Sequence, residues 1–388
     1  MYSGSFIGSL SEIQYNLSVM RGEIVLKVKW DPQYSITDKI ASDLMTIEKI
    51  RVQVENAQIP LSSLSRIRES ARIRSTHFST QIEGNRLTLQ EARDVVNNQR
   101  VIQEKARDAR EVKYYWDALL KIEEWAQELR PFDEYLIKKT RSIVEKGLRA
   151  KPSEYRSEQN VIRDSLTNAI IYLPPEAKDV PELMRGLVSW EQDARNKTPV
   201  PLIAALVHYQ FVTIHPFYDG NGRTARLLST FILQRGGYGL NGIYSLEEYH
   251  ASDLQLYYNS LVTHPHHNYY EEREKADLTG WVGYFVELLA KVFEAAKKEV
   301  LTQGENPQDP VLLRRLDHRQ KNVLSMFASR DFLTVRELAN NLGLSERMAR
   351  NIVNKWVQKG FLEVLDPSNK NRRYGLSEIY RQFIGNGN

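Results

Sequence analysis

Twelve consecutive residues bring together an imidazole, a carboxylate, an amide, two glycines and two guanidinium groups: His215-Pro216-Phe217-Tyr218-Asp219-Gly220-Asn221-Gly222-Arg223-Thr224-Ala225-Arg226. A neutral imidazole can remove a proton near neutral pH, so His215 is the candidate general base. The hard carboxylate oxygens of Asp219 suit Mg²⁺ bridging phosphates. Arg223 and Arg226 stand three apart and share one helix face. Two guanidinium groups suit a polyphosphate better than a single phosphate.

The elements around this stretch must hold these groups together. Apolar segments with helical spacing flank it, at Leu202–Val207 and Leu227–Leu233. Pro216 disfavours the α conformation at His215, so the first helix should end there. Asp219-Gly220-Asn221-Gly222 is a turn of residues that tolerate positive φ, and Arg223 is expected to open the second helix. A glycine-bearing loop running into a helix N-terminus offers free N–H groups and a helix dipole to an anion.

Position by position, the stretch resembles the motif of the Fic family: His-Pro-Phe, any residue, Asp or Glu, Gly-Asn, Gly or Lys, Arg, two residues, Arg. The resemblance runs over roughly residues 60–300. It implies a mainly α fold, a Fic-type helical bundle with a small β-hairpin flap. The implied activity is transfer of a nucleotide, usually AMP from ATP, to a Ser, Thr or Tyr hydroxyl of a protein, this chain itself included. Within that resemblance His215 takes the hydroxyl proton and Asp219 holds Mg²⁺. Gly220, Asn221, Gly222 and Arg223 hold the α- and β-phosphates, and Arg226 holds the γ-phosphate. Transfer of another nucleotide, or removal of AMP with Glu83 orienting a water, are alternatives on the same site.

A long helix is expected over 61–83, stopping at Gly84-Asn85. Ser79 and Glu83 lie four apart on its last turn and share a face. A carboxylate at a helix C-terminus is mildly unfavourable unless a cation meets it. Ser79 through Gly84 resembles the Fic inhibitory motif: Ser or Thr, three residues, Glu, then Gly or Asn. The resemblance implies that Glu83 pairs with Arg226 and takes it from the γ-phosphate, an enzyme held off by its own helix.

Asn160–Arg163 and Ala169–Leu173 are expected to be two short strands around a polar turn at 164–168. They stand where the Fic flap should lie, so Ile170, Ile171, Tyr172 and Leu173 are expected to dock an extended segment of the target by main-chain hydrogen bonds. Tyr257 and Tyr258 stand where the family places an aromatic residue near the adenine, with Tyr258 the candidate and packing in the core the alternative. His264, His266 and His267 have no further ligand at clear spacing and are taken as a histidine-rich loop.

Composition limits the rest. The 388 residues are 41% hydrophobic and 26% charged, with no cysteine. Disulfides, thiolate metal sites and cysteine nucleophiles are therefore excluded, which fits a reducing, cytoplasmic setting. No run of 18 apolar residues suggests a membrane span, and Met1–Gly8 has no signal-peptide pattern. The expected division is an arm at 1–58, for packing or homodimer contact, then an inhibitory helix region at 59–100. A catalytic core at 101–303, a linker at 304–310 and a separate unit at 311–388 follow. The last unit has 14 Lys+Arg against 7 Asp+Glu, a net of +7, which leaves 4 − 7 = −3 for the residues before it. Its helix, helix–turn–helix and two strands resemble a winged-helix domain. Arg347, Arg350 and Lys355 on the third helix, with Lys370, Arg372 and Arg373 on the wing, make DNA one candidate partner and a protein the other.

Overall fold

The structure, a computed structural model, describes residues 15–20, 23–28, 30–57, 59, 61–98, 103–163, 169–263, 267–271, 276–304, 316–327, 330–366, 368 and 372–381. The expectations placed at Met1–Gly8, 164–168, His264, His266, the linker beyond residue 304 and Lys370 fall outside these. The residues group into two compact units. The first comprises 1–47, 73–239 and 245–291, and the second 48–72, 240–244 and 292–388. These units do not follow the expected sequence blocks, because segments distant in sequence pack together in each.

The fold is mainly helical. A hairpin of β1 (Tyr15–Met20) and β2 (Glu23–Val28) comes first. Helices α1 (Asp38–Glu55), α2 (Leu61–Ile82) and α3 (Leu89–Val96) follow. A capping box opens α3: Thr88 Oγ1 accepts from Glu91 N, and the Glu91 carboxylate accepts from Thr88 N. Next come α4 (Ala106–Gln127) and α5 (Glu134–Lys146). Strands β3 (Ile162–Arg163) and β4 (Ile170–Tyr172) pair antiparallel, shorter than the sequence suggests.

The core of the first unit is built on α7 (Val200–Ile214). This helix, preceded by α6 (Val180–Ala194), is buried over nearly its whole circumference. An all-round apolar helix has no solvent face to present, so its neighbours must surround it. Its antiparallel partner α8 (Asn221–Arg235) is buried from Asn221 to Leu233 apart from Gly222. Leu227, Leu228, Phe231 and Leu233 pack at 0% exposure, as do Leu206, Val207, Phe211 and Ile214 of α7. Two short helices, α9 (Leu246–Ser252) and α10 (Leu254–Ser260), and the long α11 (Thr279–Gly304) complete the bundle. Trp281 is fully buried and donates its indole N–H to Ala205 O at 2.7 Å.

The C-terminal part of the second unit has its own core. Helices α12 (His318–Met326), α13 (Val335–Leu342) and α14 (Glu346–Gln358) precede β6 (Leu362–Asp366) and β7 (Arg373–Leu376). The short β5 (Leu333–Thr334) completes a three-stranded antiparallel sheet of order β5-β7-β6. Leu324, Leu338, Val353, Trp356, Phe361 and Tyr374 fill its interior. Among the described residues no helix is long and apolar enough to cross a membrane.

Candidate active site

The loop between α7 and α8 is fixed from inside. His215 caps α7 in the left-handed region, at φ 51 and ψ 58. Such a conformation is strained for a residue with a Cβ, and Pro216 has already closed the right-handed one. Gly220 caps α8 at φ 76, as a turn glycine should. The second helix starts at Asn221, two residues before the expected start at Arg223. The cause is the Asn221 side chain, which is buried and accepts from Phe217 N at 3.0 Å while donating to Phe217 O at 2.8 Å. Both polar groups of that carboxamide thus make a bond within the loop, and the amide keeps a second N–H. Phe217, 1% exposed, anchors the loop against Phe211 and Tyr155, with the Arg141 guanidinium 5.3 Å from its ring.

His215 is half-buried, and its Nδ1 lies 3.3 Å from Val212 O. A carbonyl only accepts, so Nδ1 carries the proton and Nε2 keeps its lone pair. Burial lowers the imidazole pKa to about 4; the Val212 carbonyl and the Glu83 and Asp219 carboxylates oppose that fall, and the Arg156 cation adds to it. The ring is therefore neutral at physiological pH and ready to accept a proton.

Asp219 keeps an open carboxylate, its side chain 64% exposed. Its Oδ1 accepts from Gly220 N at 2.6 Å, and Arg223 Nη2 is 3.5 Å away. Arg223 is buried at 6% exposure, and its Nε has no hydrogen-bond partner among the described residues. An orphaned, buried guanidinium nitrogen beside an open carboxylate and a helix N-terminus fits a phosphate with its divalent cation. Among the described residues no cluster of three His, Cys, Asp or Glu could hold a metal ion.

Arg226 is held from the other side. Its Nε donates to Ser79 Oγ at 2.8 Å, and its Nη2 donates to Ser79 O and Glu83 Oε1, each at 2.9 Å. Helix α2 ends just before Glu83, and Gly84 turns the chain at φ 92. Burial alone would lower the pKa of the Arg226 guanidinium; the Glu83 carboxylate and the Tyr257 and Tyr115 phenols together raise it instead. Glu83 thus meets the arginine that the resemblance implies for it, and Ser79 on the same face meets it too. Gly222 is the floor of this pair: a Cβ there would overlap Glu83 Oε1 and come within 3.2 Å of Arg226 Nη1.

Tyr257 is core. It is 2% exposed, and its hydroxyl meets His208 Nε2 at 2.9 Å. Tyr258 is 45% exposed. Burial raises its phenol's pKa, and the Glu83 carboxylate adds to that rise while Arg226 opposes it.

The hairpin residues divide by role. Ile170 and Ile171 are exposed, whereas Tyr172 is buried and donates its hydroxyl to Thr213 O at 2.8 Å. Leu173 does not present a free edge: its N–H donates to His267 O at 2.8 Å and its carbonyl accepts from Tyr269 N at 3.1 Å. Ile170 and Tyr172 pair with β3, with an irregularity in the register between Ile162 and Arg163. The sequence reading missed Arg156, which is 2% exposed and touches the loop directly. It donates its Nε to His215 O at 3.0 Å and its backbone N–H to Pro216 O at 2.9 Å. A lone arginine in a coil segment has no periodicity that would have revealed it.

Residues 126–233 match the Fic/DOC family model. The chain is 29% identical over 233 residues to "Protein adenylyltransferase fic-1" of Caenorhabditis elegans, covering 59% of this chain and 44% of that protein. It is 29% identical over 180 residues to "Protein adenylyltransferase Fic" of Drosophila virilis, covering 46% and 36%. The chain thus spans less than half the length of these relatives. Among solved structures, a Fic family protein from Desulfovibrio desulfuricans superposes with a TM-score of 0.56 at 24% identity, over 90% of this chain and 99% of that one. Fic-1 of C. elegans superposes with a TM-score of 0.53 at 25% identity, over 68% and 72%.

Proposed function

We propose, from the match of residues 126–233 to the Fic/DOC family model, that this chain is a protein adenylyltransferase restrained by its own Glu83. The observation that carries the reading is the loop itself. A neutral His215 with a free Nε2 stands beside an anion site made of the α8 N-terminus, the unpartnered Arg223 Nε and the open Asp219 carboxylate. The curated relatives named adenylyltransferases support the same chemistry.

In the proposed reaction His215 Nε2 takes the proton from a Ser, Thr or Tyr hydroxyl of a target protein. The hydroxyl oxygen bonds to the α-phosphorus of ATP as the bond to the bridging oxygen breaks, and pyrophosphate leaves. Arg223 and the N–H groups of Gly220 and Gly222 hold the α- and β-phosphates, and Tyr258 flanks the adenine. Asp219 would hold Mg²⁺, which when bound neutralises phosphate charge. Asn221 acts by keeping the loop folded. Arg226 would take the γ-phosphate once Glu83 leaves it. Positioning and charge neutralisation supply most of the rate in such transfers. The test is His215→Ala incubated with labelled ATP, Mg²⁺ and a lysate, alongside the parent chain carrying Glu83→Gly. Labelling should fall roughly 10²–10⁴-fold; undiminished labelling would refute the assignment.

The C-terminal part supports a second reading, a winged helix that binds nucleic acid or docks a protein. Its third helix, α14, turns Arg347, Arg350 and Lys355 outward, and among the described residues none of them has an ion-pair partner. Arg373 is also exposed, stacked 4.3 Å from the centre of the Phe332 ring. Binding of duplex DNA by the full chain should weaken steeply with salt and lose slope when Arg347 and Arg350 become Ala. No binding at low salt would leave a protein partner as the better reading. A cysteine-free chain suits the cytoplasm.

A further inference from the structure

We propose that Arg156 is a positioning residue for the transfer: one buried guanidinium ties the carbonyl of His215 to the end of the flap strand, fixing the general base relative to the edge that docks the target. The inference rests on His215 acting as the base. Arg156 lies outside the twelve-residue motif and outside the inhibitory helix.

Its donors are all directed at carbonyls. Nε donates to His215 O at 3.0 Å and Nη1 to Glu158 O at 3.1 Å, while Nη2 donates to Pro175 O. The backbone N–H adds Pro216 O at 2.9 Å. Among the described residues no carboxylate pairs with it. Burying a cation without an anion is costly, and a neutral side chain of similar size would avoid that cost. The planar fork supplies what a neutral chain or a lysine cannot: several donors in fixed directions at once.

Each acceptor matters to the reaction. His215 sits in a strained left-handed conformation, and among the described residues its ring makes one hydrogen bond, to Val212 O at 3.3 Å. Holding the His215 carbonyl keeps that conformation and so keeps Nε2 aimed. Pro175 stands two residues beyond Leu173, which directly follows the strand that carries the exposed Ile170 and Ile171. Two neighbouring bonds brace the same junction: Tyr172 donates its hydroxyl to Thr213 O at 2.8 Å, and Gln159 Nε2 donates to Pro174 O at 2.9 Å. Arg156 is the member that touches both sides, base and flap. Transfer needs the target hydroxyl within hydrogen-bond reach of Nε2, and a misplacement of about 1 Å can cost roughly 10²-fold.

The experiment uses the full chain carrying Glu83→Gly, with Arg156→Lys and Arg156→Gln added separately. Two readouts are taken: self-labelling at saturating ATP beside ATP affinity, and the spectrum of ¹³C-labelled histidine, with His215 assigned through His215→Ala. We expect labelling to fall roughly 10²-fold in both variants while ATP affinity holds. The His215 resonance should move while those of the buried His208 and His250 stay. Parental labelling with an unmoved His215 resonance would overturn the proposal. So would loss of ATP binding together with movement of all three histidines, which would mean a general structural role. If the Glu83→Gly parent labels nothing, the adenylyl-transfer reading fails, and Arg156 is still judged by the histidine spectrum.

Discussion

Glycine at 222 is a choice made by a neighbour. Nothing in the turn demands it, since Gly222 is inside α8 with ordinary helical geometry, and glycine there costs helix stability. What demands it is Glu83, whose carboxylate occupies the space a Cβ would take. The end of a glutamate is flexible, so an added methyl should move the carboxylate and leave the helix in place. Gly222→Ala is therefore expected to release Arg226 and raise labelling in the same direction as Glu83→Gly. The two changes should not add, because both break one contact. Labelling by the single and double variants, with ATP affinity beside it, checks this. If Glu83→Gly activates and Gly222→Ala does not, the seat is misread while the restraint stands. If neither activates, the Glu83–Arg226 pair does not restrain the enzyme.

At the scale of elements, the exposed stretch of the flap is short. Tyr172 is tied to α7 and Leu173 to the 267–269 segment, which leaves Ile170 and Ile171 exposed. Ile171→Pro removes a main-chain donor from this stretch. In the Glu83→Gly background it should raise the KM for a protein target by roughly tenfold, the worth of about one hydrogen bond at an interface, with ATP affinity unchanged. An unchanged KM would mean that docking lies elsewhere. Much of this architecture was legible in the residues themselves. Apolar spacing located α7 and α8, Pro216 marked the break at His215, and the Ser79–Glu83 spacing put both groups on the face that meets Arg226. The misses share a cause. Arg156, the Asn221 staple and the pairing of Leu173 all use backbone carbonyls or amides as partners. Every residue carries those groups, so no residue type or spacing reveals which of them tertiary packing will bring close.

Across the molecule, the first unit carries a weakness to acid close behind its active site. His208 and His250 are buried at 0% and 1% exposure, with ring centroids 6.0 Å apart. Burial depresses both, His250 to about 3 and His208 well below its ordinary value, and the Arg226 cation depresses each further. The bonds that hold them, from His208 to Ser229 and Tyr257 and from His250 to Tyr284, suit neutral rings. The sign follows from linkage. Above about pH 6.5 neither the folded nor the unfolded chain protonates these rings, and stability is intact. As pH falls below that value the unfolded chain takes up protons that the folded core refuses, so stability is lost progressively down to about pH 3 for His250. At pH 5 the His250 ring should cost roughly 2 kcal/mol. Trp281 lies 5.2 Å from His208, so its fluorescence follows the unfolding of this core directly. The melting temperature read from it should drop between pH 7.5 and pH 5. His250→Asn, which keeps a polar group toward Tyr284 but cannot titrate, should lower the melting temperature at neutral pH yet make its pH dependence shallower. An equally steep dependence in His250→Asn would show that other groups, carboxylates first among them, govern the acid limit. The same core positions Tyr257 behind Arg226, so acid should weaken the site's scaffold well before it protonates His215.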